Sequence, residues 1–218
     1  MCGEINPEVV RVELSIAEDN IIENLRTLLT RSCDAFRELH DSLNDLASGK
    51  LELAKARMQK LLHMLGNFRS EYHTFALYLA RVLPNLERNL LYLDTYRAIR
   101  DLNRSIEILV LHLAAIARHG SEIVSKIGSL TVPFANAMLS TTLKLIDAAT
   151  ILTSNPRKSL EFVEEARGSL QQCRDELRSR WIELYAGGYR DLLLAFIDVL
   201  DRLELLVDDM QLLARLRV

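Results

Sequence analysis

The chain has 218 residues, 49% hydrophobic and 26% charged, with a formal net charge of -3. That balance excludes a disordered chain, and the lack of a basic excess argues against a dedicated nucleic-acid binder. Eight glycines and four prolines leave little turn material, so an all-α chain of long helices is expected.

Residues 1–14 read as an N-terminal segment without the basic run and apolar stretch of a signal peptide. The first helix is expected to open at Ser15, where Ser15 and Glu18 stand three apart as a capping box. Ile21, Leu25, Leu28, Leu29, Phe36, Leu39 and Leu43 then recur at helical spacing along one stripe. Ser48-Gly49 stops that helix. The second runs from about 51 to 82, and Pro84 opposes its continuation because proline lacks an N–H. The third covers roughly 85–119 and closes at Gly120.

The second half repeats the plan. Ser121 opens a helix that Pro133 is expected to kink or break near Thr131, and that resumes to about Leu152. Asn155-Pro156 reads as an N-cap followed by proline in the first helical position. The fifth helix runs to Ala186, Gly187-Gly188 makes a turn, and the sixth runs from about 189 to 216. No stretch alternates as a strand does. The expected fold is therefore two tandem antiparallel three-helix bundles, over 15–120 and 121–218. Matching strings support an internal duplication. Leu200-Asp201-Arg202 parallels Leu102-Asn103-Arg104, and the apolar residues after Asp175 parallel those after His73.

Chemistry-bearing motifs are few. Cys2, Cys33 and Cys173 are far apart and form no CxxC, so unpaired thiols are expected. The five histidines include no i,i+4 pair and no Glu-x-x-His. Neither a Gly-x-Ser-x-Gly elbow nor a phosphate-binding glycine loop occurs. The longest apolar stretch, 108–117, is far short of the ~20 residues that span a bilayer. The sixth helix carries Asp201, Glu204 and Asp208 on one face, with Asp198 extending the stripe. Gathered carboxylates suit a hard cation, and a solvated acidic face gives the same pattern. Asp175 and Asp201 lie about 18 and 20 Å from the Gly187-Gly188 turn at 1.5 Å per residue, so Asp175, Asp201 and Glu204 are placed at matching heights.

Three strings add a resemblance. Gly49-Lys50-Leu51-Glu52-Leu53-Ala54-Lys55, Asp175-Glu176-Leu177-Arg178 and Val199-Leu200-Asp201-Arg202-Leu203-Glu204 with Asp208 resemble the PhoU-like family of phosphate-transport regulators. The nearest branch is the one encoded beside Pit-type phosphate permeases. The resemblance implies a six-helix fold, a cytoplasmic homodimer, and a non-enzymatic regulator that acts on a membrane phosphate permease. It also implies metal held by Glu/Asp-x-x-x-Asp/Asn motifs. Here those motifs are degenerate. Gln171 stands four before Asp175, His73 replaces an aspartate, and Ile99 and Ile197 stand four before Asn103 and Asp201. What remains for metal is a weak or vestigial set, Asp175, Asp201, Glu204 and Asp208, with at best a loosely bound divalent cation. A helical scaffold of the same fold with another partner is the alternative.

Overall fold

A computed structural model describes residues 7–82, 89–118 and 121–218, with side chains over 16–82, 90–118 and 124–218. Six helices follow one another: α1 (Pro7–Ala47), α2 (Leu51–Val82), α3 (Asn89–Ile116), α4 (Ser121–Ile151), α5 (Pro156–Ala186) and α6 (Arg190–Arg215). Among the described residues there is no strand, and the all-α helical bundle stands as the sequence predicts. Cys2, Pro84, His119 and Gly120 lie outside the described residues.

The punctuation works through backbone geometry. Gly49 (φ 72°) and Gly188 (φ 81°) take the left-handed conformation that ends a helix. Beyond each, a backbone N–H reaches five residues back, Lys50 to Asp45 at 2.8 Å and Tyr189 to Leu184 at 3.1 Å. Asn155 caps α5 by accepting from the Lys158 N–H at 3.1 Å, with proline next in the chain.

Two expectations need correction. α1 opens at Pro7, so Ser15 and Glu18 lie inside the helix rather than at its start. Proline suits a first helical turn, and residues 8–14 contain no glycine or proline to stop propagation. At Pro133, α4 is not interrupted. Proline inside a helix costs about 3 kcal/mol. Its neighbours Leu130, Thr131, Phe134 and Ala135 are buried, and each large apolar side chain there returns about 1.5–3 kcal/mol. The Thr131 hydroxyl also donates to the Ile127 carbonyl at 2.8 Å, bracing the turn before the proline.

Successive helices run antiparallel, and each half has the same internal packing order. The halves are joined by equivalent helices, α1 on α4 and α3 on α6. One apolar cluster runs through all six helices. Phe134 of α4 meets Phe196 of α6 edge to face, ring centroids 5.6 Å apart. The Ser125 hydroxyl of α4 donates to the Ala47 carbonyl at 2.8 Å, satisfying a carbonyl at the end of α1. Leu102 and Leu200 are both buried, as their matched strings suggest, yet Asn103 is buried while Asp201 is exposed. α3 and α6 therefore present that string to the core in different rotational settings.

Candidate functional site

The acidic stripe of α6 faces α5 and meets arginine. Arg174 donates to Asp201 at 2.9 Å and, in a shorter bond, to Glu204. One heptad away on the same face, Arg167 donates to Asp208 at 2.6 Å and to the Gln211 side chain at 2.9 Å. Gln211 in turn donates to Glu164 at 2.5 Å. Asp175, expected to share a cation with Asp201 and Glu204, points elsewhere. It accepts from Gln171 at 3.1 Å and pairs with Arg178 at 3.4 Å on its own helix. The reason is rotational: Arg174, one residue earlier, occupies the face of α5 turned to α6. Among the described residues no three His, Cys, Asp or Glu side chains are grouped so as to hold a metal ion. The seam is a polar zipper between two helices, with guanidinium where a cation was expected. Arg167 and Arg174, seven apart and opposite an acidic stripe, were the readable signal for it.

Asp198 takes a different route. It accepts from the Ser105 hydroxyl of α3 and pairs with Arg202 at 3.6 Å. Asp209, on the α3 side of α6, is pushed up to about 6 by burial, with Asp94 and Asp208 adding repulsion. Cys33 and Cys173 are free and buried. Burial pushes the Cys173 thiol up to about 12, so it is a packing group and a poor nucleophile.

A second polar feature lies between α2 and α3. A groove of about 430 Å³ is floored by Phe68 and Tyr72 and rimmed by Arg69, Arg100 and Arg104. Tyr72 stacks on Tyr96 with centroids 4.1 Å apart, and the Arg100 guanidinium lies 5.6 Å from the Tyr72 ring centre. Arg69 pairs with Glu107, and Arg100 with Asp101 at 2.7 Å. Arg104 has no carboxylate partner among the described residues. Asn103 lines this groove and also a neighbouring hollow of about 190 Å³ against α1. Its amide nitrogen donates to the Ser32 hydroxyl at 2.6 Å and to the Ile99 carbonyl at 2.9 Å. Its side-chain oxygen is buried and has no donor. Sequence reading missed this groove, because its residues come from two helices and only the i,i+4 spacing of Arg100 and Arg104 hinted at a basic face.

No protein-family profile, curated protein sequence or solved structure matches the chain. Among the described residues no helix is long and apolar enough to cross a membrane.

Proposed function

We propose that this chain is a non-enzymatic, PhoU-like cytoplasmic regulator that modulates phosphate uptake by docking on a membrane phosphate permease. One observation carries the reading: two three-helix halves of the same internal order, joined through their equivalent helices. A paired helical slab of this kind offers long faces for recognition. Exposed apolar side chains supply contact points on α5 and α6, among them Ile182 at 77% exposure, Tyr185, Leu194 and Leu212. Some of that surface would serve a homodimer and some the permease. Nucleic acid is not expected as a partner of a chain of net charge -3.

A second reading, a scaffold of the same fold with a different partner, is favoured by the arginine zipper. Arg167 and Arg174 neutralise the carboxylates that a metal-dependent regulator would keep open. Deleting the gene in its host and measuring phosphate uptake separates the two, together with affinity purification from membranes. Altered uptake and recovery of a phosphate permease support the first reading. Unchanged uptake with no permease recovered overturns it.

A further inference from the structure

We propose that the groove between α2 and α3 binds a small planar organic anion, with its ring against Phe68 and Tyr72 and its phosphate or carboxylate held by Arg104 and Arg100. The inference stands on the groove and does not depend on the permease reading.

Size is the first consideration. At about 430 Å³ the groove falls within the range of small-ligand sites, roughly 300–1,000 Å³. Such sites combine an apolar floor with a few placed polar groups, as this one does. Charge is the second. Three arginines line the groove against one carboxylate, Glu107, which is occupied by Arg69. Arg100 is balanced by Asp101 at its flank. Glu71 of α2 is turned to Arg31 of α1, at 3.4 Å. Arg104 is thus the guanidinium with its donors open, and guanidinium donors match phosphate and carboxylate oxygens. The equivalent layer of the other half behaves oppositely, since Arg167 and Arg174 are each paired with carboxylates of α6.

Asn103 supplies the third and independent observation. It is 4% exposed and lines the groove, and its side-chain oxygen lacks any donor. A buried acceptor left unpaired costs about 1–3 kcal/mol. A ligand O–H or N–H reaching the groove floor would remove that cost. The three features together select a ligand with a planar body, one anionic group and at least one hydrogen-bond donor. A bare phosphate ion offers nothing to the aromatic floor of Phe68 and Tyr72.

The test is isothermal titration of the full chain with AMP, adenosine and inorganic phosphate as probes. AMP is expected to bind at one saturable site with Kd below ~1 mM, more tightly than either fragment. Arg104→Glu, at an exposed position where folding is not at risk, is expected to weaken AMP about tenfold or more. Arg178→Glu, on the exposed face of α5, is expected to leave it unchanged. AMP heats that do not saturate, AMP affinity unchanged in Arg104→Glu, or inorganic phosphate binding as tightly as AMP would each overturn the proposal.

Discussion

Gly128 of α4 and Ala47 of α1 bring the two helix backbones into direct contact. A Cβ built on Gly128 would fall 2.8 Å from the Leu43 carbonyl oxygen and 2.9 Å from the Ala47 Cα, and closer still to the Ala47 nitrogen. The atoms it would meet are backbone, so no side chain can swing aside. The same turn of α4 sends the Ser125 hydroxyl to the Ala47 carbonyl. The close approach of α1 and α4 at this crossing is therefore set by a missing methyl group and one hydroxyl.

Gly128→Ala should destabilise the fold by about 1–3 kcal/mol, the usual cost of overpacking, despite the ~1 kcal/mol that alanine gains over glycine in a helix interior. Gly66 of α2 and Gly168 of α5 are the counter-test. A Cβ at either meets nothing within 4 Å, so each alanine variant should gain about 0.5–1 kcal/mol. Urea unfolding of the three variants measures all of this. A stabilised Gly128→Ala would show that the helices can separate at no cost.

The helices were legible because their signals are local. Asn155-Pro156, Ser48-Gly49 and Gly187-Gly188 act within one turn, and the apolar stripe from Ile21 to Leu43 is buried as its spacing requires. The break expected at Pro133 does not occur, because the proline's local cost is outweighed by burial of Phe134 and Leu130, which no single helix reveals. The heights of Asp175 and Asp201 followed from helical rise, but their facing depends on a rotation about each helix axis. A one-residue step turns a helix by about 100°. That step put Arg174, not Asp175, opposite Asp201 and Glu204.

Removing Arg174 should expose the acidic stripe to solvent cations. Its guanidinium sits between Asp201 and Glu204, with its side chain only 27% exposed. Arg174→Ala leaves the two carboxylates facing each other with Asp208 one turn on. Partly exposed pairs of this kind are worth about 1 kcal/mol or less each, so the loss in stability should be modest. The distinctive result is a melting temperature that rises with millimolar calcium in Arg174→Ala and not in the parent chain. EDTA should leave the parent unchanged. Equal calcium shifts in both chains would place cation binding away from this seam.

Asp209 gives a pH dependence of opposite sign to an ordinary ion-paired aspartate. Its carboxyl is held at about 6 in the folded chain and near 4 when unfolded. The folded state thus binds the extra proton between those values, and stability falls as pH rises through that window. Above it the burial and the repulsion from Asp94 and Asp208 remain as a penalty. Asp209→Asn should therefore raise the melting temperature by a few degrees at pH 7, with the gain shrinking toward zero near pH ~4. Thermal melts of both chains across that range measure it, and a gain that grows on acidification would reverse the assignment.

Past the end of α6, Arg217 closes the bundle by a three-way contact. It pairs with Glu18 of α1 at 2.8 Å and donates to the Tyr92 hydroxyl of α3 at 3.0 Å, while that hydroxyl donates to Glu18. The Tyr92 ring is fully buried and Arg217 is only 13% exposed at its side chain. Burial and the bond to Glu18 hold the Tyr92 hydroxyl protonated, up to about 12. Tyr92→Phe keeps the ring and the ion pair and removes one hydroxyl, so it should cost about 1 kcal/mol. Arg217→Ala leaves Glu18 part-buried without this guanidinium, and breaking such a pair should cost more, about 2–3 kcal/mol. Because the three groups share bonds, the double variant should lose less than the sum of the two, by about 0.5 kcal/mol or more. Urea unfolding of the two single variants and the double gives the coupling directly. Strict additivity would mean that Arg217 and Tyr92 act independently and that the contact does not tie α6 to α1 and α3 as one unit.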